Sequence, residues 1–140
     1  MGDNVIVYGS NAQSFDAALW LTVRKKHVTI VAPDAALDFD QQQSQHAMRM
    51  MTTALYALGT NSWPQASIKE VNGGKATIVT ETGMETVIPC DAIVNAADML
   101  PNKGLLEGVG VSETYAIGDC EHPFNIAMAI RAGNDAGRAV

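Results

Sequence analysis

The N-terminal part of the sequence constrains the fold most, because it runs from a strand pattern to a helix pattern and back. An apolar run over 4–8 precedes a stretch over 12–25 with apolar residues at helical spacing, and a β-branched run follows over 27–31. Pro33 ends the second run, since proline has no N–H to donate to a strand ladder. A strand, a helix and a strand in this order predict a parallel βαβ unit.

The rest of the sequence predicts more helix and two kinds of strand. Gly59 marks the end of a second helix, and the sequences NGG and ETGME separate short strands as hairpin turns do. The further predicted elements are helices over 41–58 and 125–140 and strands over 66–71, 76–80, 86–89, 91–97 and 114–118. We therefore predict an α/β fold, a Rossmann-like three-layer nucleotide-binding domain with a parallel sheet plus an antiparallel β-meander.

Size and charge limit the classes of function. A chain of 140 residues with 47% hydrophobic content is long enough for a real core, and its length favours one compact unit. The formal net charge of -6, with nine Lys and Arg residues, argues against binding to nucleic acid or to an anionic membrane. No apolar run is long enough to span a bilayer and no signal-peptide pattern is present, so we expect a soluble cytoplasmic protein.

Several other residue types are assigned to packing rather than chemistry. Cys90 and Cys120 lack CxxC spacing, so we expect two buried, reduced thiols and no metal site. Methionine is mainly adaptable apolar volume, and large aromatic residues anchor cores and interfaces. Core or interface positions are expected for Met48, Met50, Met51, Trp20 and Trp63, and surface or packing positions for His27, His46 and His122.

The turn after the first strand has the spacing of a dinucleotide-binding loop, but it lacks most of the glycines. In G-x-G-x-x-G, the glycines allow a tight turn, close approach of the pyrophosphate, and close packing of helix on strand. Gly9 stands in the first position. Asn11 stands in the second, where its side chain projects toward the space of the pyrophosphate, although its backbone tolerates a left-handed conformation. Ser14 stands in the third and is small enough for the packing.

The acidic residue that binds the adenosine ribose in NAD sites is missing from its usual place. Ala32 occupies the end of the second strand, and Asp34 lies two residues further on, after Pro33. No arginine follows the strand to hold a 2′-phosphate. Two interpretations stay open, a working dinucleotide site and a Rossmann-like unit that no longer binds nucleotide well.

A second group of residues lies near the C-terminus. Gly118 and Asp119 follow the predicted strand over 114–118, and a helix is predicted to begin near Asn125. A carboxylate at this edge accepts hydrogen bonds from sugar or ribityl hydroxyls, and a helix N-terminus stabilises negative charge. An isolated Asp after Gly is also a common turn residue, so a purely structural role for Asp119 stays open.

These two groups together resemble part of a known flavoprotein family. YAIGDCEHPFNIAMAIRAGNDAGRAV is similar to the closing FAD motif of flavoproteins with two dinucleotide domains. More narrowly, it resembles the C-terminal region of Old Yellow Enzyme-like iron–sulfur flavoenzymes, the 2,4-dienoyl-CoA reductase, 2-enoate reductase and trimethylamine dehydrogenase group. DAIVNAADMLPNKGLLEGVG resembles the strand that returns to the FAD domain, with Pro101 and Asn102 as in the family and Leu100 and Asp98 as departures. NVIVYGSNAQSFDAALWL resembles the family's second, pyridine-nucleotide turn.

The resemblance implies a domain organisation, cofactors and contact residues. It implies a pyridine-nucleotide-binding domain over 1–97 and a returning segment of the FAD domain over 98–140. FAD and NAD(P)H are the implied cofactors, while FMN and the 4Fe-4S cluster belong to parts of the parent that this sequence lacks. The implied cofactor-binding residues are Gly9, Ser10, Asn11, Ala12, Gln13, Ser14, Ala32, Asp34, Ala96, Ala97, Gly118, Asp119, Asn125 and Ile126. No catalytic residue and no metal ligand is implied.

The leading hypothesis is that the chain is a fragment of a flavin-dependent oxidoreductase, with Val140 as an artificial end. In the parent, hydride passes from NAD(P)H to FAD, and the fragment alone is expected to be inactive. Its expected partners are a dinucleotide, the remaining domains of the parent, and a second copy in a homodimer. Two alternatives stay open, a degenerate domain with a docking role that binds ADP only, and a free-standing nucleotide sensor. The sequence leaves the substrate and the choice between NADH and NADPH open.

Overall fold

The computed structural model describes residues 2–35, 45–97 and 99–140, without the side chains of Gln45 and Met48. The strands are β1 (Asn4–Tyr8), β2 (His27–Val31), β3 (Asn61–Trp63), β4 (Ala66–Asn72), β5 (Lys75–Thr80), β6 (Glu85–Pro89) and β7 (Ala92–Asn95). The helices are α1 (Ala12–Val23), α2 (Gln45–Ala57) and α3 (Ile126–Ala139), with short 3₁₀ helices at Gly104–Leu106 and Gly118–Cys120. The chain length favours one compact unit, whereas the contacts divide the chain into two units, 1–97 and 98–140.

The first unit is built on a parallel sheet with the strand order β3-β2-β1-β7. Successive side chains of a strand point to opposite faces, and β1 uses both. Val5 and Val7 pack with Phe15 of α1 on one face, while Ile6 packs with Ile78 of the meander on the other. These strands read as apolar runs because both faces of the sheet are covered.

An antiparallel meander in the order β4-β5-β6 forms the third layer. Gly73 and Gly74 turn the first hairpin with φ of 56° and 74°, and Gly83 lies in the second turn with φ of 83°. The predicted α/β Rossmann-like fold, with a parallel sheet and an antiparallel β-meander, is confirmed.

The structure corrects the prediction for two strands of the parallel sheet. The sequence predicted no strand between α2 and the meander, yet β3 pairs with β2, with Val31 opposite Trp63. β3 has three residues, two of them polar, so it shows no apolar pattern. The buried strand predicted over 91–97 is the shorter β7, which pairs with β1 at the edge of the sheet and leaves Ile93 40% exposed.

The second unit consists of α3 and irregular chain. The buried strand predicted over 114–118 is wrong for the described structure, where these residues form no ladder and Tyr115 and Ile117 are 46% and 41% exposed. Backbone polar groups need a neighbouring strand to form a ladder, and the described part of this unit provides none. On α3, Gly133 faces Ile117 at 3.8 Å, measured from an ideal Cβ position, whereas Ile126 is 80% exposed.

Some packing predictions also need correction. Trp20 is exposed, with the Arg24 guanidinium 3.6 Å from its ring centroid, so it is not a core residue. Trp63 does pack against the core beneath the meander. Both cysteines are free, but Cys90 is buried and Cys120 is only half-buried. The predicted packing positions of the methionines are confirmed only in part, since Met51 packs on the first core and Met50 is exposed. The helix predicted over 41–58 is α2, and the first residues of the prediction, 41–44, lie outside the described residues.

Candidate functional site

The turn after β1 lies at the carboxyl edge of the parallel sheet, where β2 and β7 also end. Gly9 donates its N–H to the Val31 carbonyl at 3.0 Å and has φ of 142°. A Cβ at this position would lie 2.2 Å from the Ala96 carbonyl oxygen, which follows β7. Glycine is therefore required here both by backbone conformation and by the close approach of the chain leaving β7.

Asn11 caps helix α1. Its φ of -97° and ψ of 176° are extended, so the left-handed backbone that the sequence allowed is not used. Its Oδ1 accepts the Ser14 N–H at 3.0 Å, and its Nδ2 donates to the Ala97 carbonyl at 3.5 Å. The Ser14 N–H also lies 3.1 Å from the Asn11 backbone carbonyl, so the Asn11 side chain adds a second acceptor to an amide that its own backbone already bonds.

Ser14 fills the small third position of the motif. It is fully buried, and its Oγ donates to the Asn11 carbonyl at 2.6 Å. The hydroxyl is thus satisfied within the first turn of α1 and faces no solvent. This placement agrees with a role for Ser14 in packing rather than in direct ligand contact.

Two amides at the start of α1 are available for a ligand. The N–H groups of Ala12 and Gln13 donate to no acceptor within the described ranges 2–35, 45–97 and 99–140. Such amides, together with the helix dipole, favour an anionic group such as a pyrophosphate. Within the same described ranges the N–H groups of Ser10 and Asn11, in the turn itself, donate to no acceptor either.

At the end of β2, Ala32 and Asp34 have separate roles. Ala32 is fully buried and its backbone bridges two strands, donating to the Trp63 carbonyl at 3.0 Å and accepting from the Ala66 N–H at 2.9 Å. Its methyl group has no means of binding a ribose. Asp34 is exposed, and its Oδ2 accepts the Ser10 hydroxyl. The structure therefore places an acid beside the turn, two residues after the usual position.

The loop after β7 completes the edge. The Ala96 N–H donates to the Tyr8 carbonyl at 2.8 Å, and the Ala97 N–H donates to Asn95 Oδ1 at 3.1 Å. Ala96 and Ala97 therefore contact the turn through backbone atoms. Asp98, which follows them, lies outside the described residues.

A shallow recess of about 410 Å³ lies beside the chain that leaves β2, and no sequence pattern indicates it. It is lined by Pro33, Ala35, Gln65, Ala66, Ser67, Val79, Thr80 and Glu81. Gln65 shapes its rim, because its N–H donates to the Asp34 carbonyl at 2.9 Å and its Nε2 donates to Glu81 at 2.8 Å. Gln65 also has φ of 49°, a left-handed conformation that is uncommon for this residue type. No sequence pattern predicts this conformation.

The second unit holds the other predicted cofactor residues. Gly118 has φ of 66°, and an added Cβ would lie 3.4 Å from the Ala129 Cβ. Asp119 is exposed and accepts a long bond from the Phe124 N–H at 3.4 Å. Asn125 caps α3 by accepting the Met128 N–H at 2.9 Å.

The N-terminus of α3 therefore matches that of α1 in its cap. In both helices an asparagine in extended conformation accepts the N–H three residues later. Ile126, the first residue of α3, is largely exposed. Asp119 lies near this N-terminus in sequence, without the strand that was expected to hold it.

In the first unit, the carboxylates whose pKa is shifted lie at the amino edge of the parallel sheet, opposite the turn after β1. The Asn4 backbone N–H, followed by the Asn4 side chain, holds the pKa of Asp91 below its ordinary value. A hydrogen bond from Lys26 lowers the pKa of Asp3. Burial raises the pKa of the Cys90 thiol. Asp3 precedes β1 and Asp91 precedes β7, so both lie at the edge opposite the turn after β1.

Two features are absent from the described residues. Over the described ranges, no group of three or more His, Cys, Asp or Glu side chains is placed to hold a metal ion. Among the same residues, none of the helices has both the length and the apolar character needed to cross a membrane.

Comparison with known proteins shows similarity at the level of structure. No protein-family model matches the chain, and no curated protein sequence matches it. Histamine dehydrogenase from Rhizobium sp. 4-9 superposes with a TM-score of 0.85 and 21% identity, over 99% of this chain and 23% of that one. A 2-naphthoyl-CoA reductase in complex with 2-naphthoyl-CoA superposes with a TM-score of 0.79 and 26% identity, over 100% of this chain and 21% of that one.

A third similar structure comes from a different kind of reductase. The bacillithiol disulfide reductase from Bacillus cereus has a TM-score of 0.63 and 19% identity, over 72% of this chain and 30% of that one. All three neighbours are oxidoreductases by name, and the chain spans less than a third of each. The likeness shows the fold, an arrangement shared with oxidoreductases that are much longer than this chain.

Proposed function

We propose that the chain is the pyridine-nucleotide-binding region of a larger FAD- and NAD(P)H-dependent oxidoreductase, of the iron–sulfur flavoenzyme group that its motifs resemble. The observation that carries this proposal is the pair of free amides of Ala12 and Gln13 at the N-terminus of a helix that follows a parallel strand. The three-layer fold shared with long oxidoreductases supports it.

The residues of the first unit fit a dinucleotide in part. The amides of Ala12 and Gln13 would hold the pyrophosphate, and Asp34 offers a carboxylate for a ribose. Asn11 opposes tight binding, since its side chain already occupies the Ser14 amide. A nicotinamide held at this edge would supply hydride, and the chain's own residues would orient the dinucleotide and donate hydrogen bonds to its pyrophosphate.

The residues of the second unit fit one side of a flavin. Asp119 would accept hydrogen bonds from ribityl hydroxyls, and Gly118 would let the chain approach closely. The exposure of Tyr115 and Ile117 is the feature expected of a segment whose sheet partners belong to the rest of the parent. The isolated chain holds only one side of the arrangement, so it should not oxidise NADH.

Substitution of Ala12 by proline tests the amide site directly. Proline is favoured at the first position of a helix, and Asn11 already has the extended backbone required before proline, so Ala12→Pro removes one free N–H without disturbing α1. We expect the NADH dissociation constant from calorimetric titration to rise about tenfold, the size of one lost hydrogen bond to a charged group. Ala12→Gly, which keeps the N–H, is the matched control.

Equal NADH binding by the wild type and Ala12→Pro would contradict the amide site. A second experiment adds FAD and NADH to the purified chain and follows NADH absorbance, with flavin absorbance recorded after desalting. Sustained NADH oxidation would contradict the assignment of the chain as a fragment.

The second candidate function is a docking module that binds ADP at most. The contacts of Asn11 with Ser14 and of Ser10 with Asp34 favour it, because these side chains bond to groups of the protein that a nucleotide would otherwise contact. Titration with ADP beside NADH separates the two functions. Binding of NADH at micromolar concentration, tighter than ADP, would exclude the docking-only function.

A further inference from the structure

The face of the parallel sheet that packs against the meander changes character between its two edges. Toward the carboxyl edge this face is apolar, with Val31 of β2 and Trp63 of β3 in the core beneath the meander. Residues two positions apart in a strand lie on the same face. Thr29 and Asn61 lie two positions earlier, opposite each other in the ladder. The amino half of the face is therefore polar, unlike the core that continues from it.

A cleft of about 810 Å³ lies at this polar half. Its lining joins the first residues of β1, β2 and β3 to Ile88 of β6 and to the aromatic rings of Tyr56 and Trp63. The volume falls in the range of about 300–1,000 Å³ that is usual for small-molecule sites. All of its lining residues belong to the unit 1–97, and none belongs to the turn after β1. The cleft is therefore separate from the edge proposed to bind a dinucleotide.

Part of the lining is held in place by hydrogen bonds within the protein. The Thr60 hydroxyl is buried and lies 3.0 Å from the Thr22 hydroxyl. The Ser62 hydroxyl lies 2.6 Å from the Tyr56 hydroxyl, which fixes this ring against β3. These contacts give the cleft a formed wall, as small-molecule sites usually have.

Other lining residues offer polar groups that bond to nothing within the ranges 2–35, 45–97 and 99–140. They are the Thr29 hydroxyl, the side-chain amide of Asn61 and the indole N–H of Trp63. The indole N–H is a donor, whereas the hydroxyl and the amide both donate and accept. A tryptophan N–H that is partly buried usually has a partner. A ligand with several hydroxyl groups would supply partners to all three.

The charge of the lining limits the class of ligand. It contains no Asp, Glu, Lys or Arg, and His27 alone among the lining residues can become charged near neutral pH. Without Lys or Arg, the cleft lacks the groups that pair with phosphate or carboxylate. Without an acid, it offers no ion pair to an amine. The lining therefore suits an uncharged ligand that presents hydroxyls at its rim and C–H groups to an aromatic ring.

We propose that this cleft binds a neutral saccharide of one or two rings. The Trp63 ring packs against the C–H face of a sugar ring, while Thr29 and Asn61 form hydrogen bonds with its hydroxyls. This site goes beyond the proposed function, since it lies toward the opposite edge of the sheet and shares no residue with the proposed dinucleotide site.

Tryptophan fluorescence tests the proposal, because the chain has two tryptophans and the cleft contains one of them. Trp20→Phe leaves Trp63 as the sole tryptophan and keeps a ring for Arg24 at this exposed position. We titrate this variant with glucose, maltose, cellobiose, lactose and trehalose. For at least one sugar we expect a saturable change in emission, with a dissociation constant of about 1 mM or lower. Trp63→Phe, which keeps Trp20, should show no change.

Threonine variants in the Trp20→Phe background locate the binding. Thr29→Val removes the hydroxyl but keeps the shape, and valine is favourable in a strand. We expect affinity to fall about three- to tenfold, the size of one lost hydrogen bond. Thr77→Val is the matched control, a half-buried threonine of β5 that does not line the cleft, and it should leave affinity unchanged. Asn61→Ala, at an exposed position, is a second variant with the same expected loss.

The contrary outcomes are distinct. A change in emission that does not saturate with any of these sugars overturns the site, and equal losses in Thr29→Val and Thr77→Val overturn its location. Glucose 6-phosphate that binds more tightly than glucose, or adenosine that binds in place of the sugars, overturns the ligand class. No nucleotide is present with the sugars, so failure of saccharide binding leaves the proposed function intact, and failure of NADH binding leaves the cleft intact. Thermal unfolding of each variant verifies that the fold is retained.

Discussion

Substitution of Asn11 provides the most direct test of dinucleotide binding at the turn after β1. Its Oδ1 accepts the Ser14 N–H at 3.0 Å, beside the free amides of Ala12 and Gln13. Asn11→Asp preserves size and the cap, because Asn and Asp cap helices about equally well. The negative charge also lies at the favourable end of the helix dipole, so we expect the melting temperature to stay equal or rise slightly.

The same charge would oppose a pyrophosphate. A phosphate oxygen bound to these amides would lie about 4 Å from the new carboxylate, where two unit charges repel by about 1 kcal/mol in water and about 4 kcal/mol at an effective dielectric constant of 20. These limits correspond to a loss of NADH affinity between about fivefold and several hundredfold. Because salt screens exposed charges, the loss should shrink in 0.5 M NaCl, where the Debye length is about 4 Å.

Two neutral variants separate charge from capping. Asn11→Ser keeps a capping oxygen and removes the amide, whereas Asn11→Gly removes the whole side chain and leaves the Ser14 N–H only the backbone carbonyl at 3.1 Å, so we expect NADH affinity to rise most in Asn11→Gly. Calorimetric titration gives the affinities, and differential scanning fluorimetry gives the stabilities. The reasoning is refuted if Asn11→Asp binds NADH as well as the wild type, or if Asn11→Gly binds no better.

Two further predictions concern stability. Gly9→Ala should lower the free energy of unfolding by on the order of 3 kcal/mol, since its Cβ would meet the Ala96 carbonyl oxygen at 2.2 Å, whereas Gly83→Ala, with φ of 83° and open space, should cost on the order of 1 kcal/mol. Urea denaturation measures both, and equal costs would rule out the close approach of β7. Asp91→Asn should lower the melting temperature at pH 7, and the difference from the wild type should shrink as pH falls below about 4, because a carboxyl whose pKa is depressed by Asn4 in the folded state stabilises above its unfolded pKa and loses this effect as pH falls through its folded pKa. A difference in melting temperature that persists at low pH would contradict the role of the Asp91 charge.

Local sequence patterns predicted the elements whose structure depends mainly on their own residues. The apolar run of β1, the helical spacing of α1 and the glycines of the hairpins predict elements that the structure contains. They failed where an element depends on its neighbours. β3 is a strand because β2 offers it a ladder, and the residues over 114–118 are not, because the described part of their unit offers none.

The candidate site divides in the same way. Sequence spacing identified Gly9, Asn11, Ser14 and Asp34 as residues of one turn and one strand end. It could not show that Asn11 folds back as a cap, because that contact depends on backbone angles at the start of α1. The recess shaped by Gln65 joins segments from two different sheets, which no local pattern encodes.

The sequence by itself determined a parallel βαβ unit, since the periods of strand and helix are properties of neighbouring residues. Only the tertiary structure decided what the turn offers to a ligand. It turned the asparagine of the second motif position into a helix cap, placed the chain leaving β7 against Gly9, and brought Asp34 to Ser10. These contacts join residues far apart in the chain or depend on backbone angles, and both are fixed only when the sheet assembles.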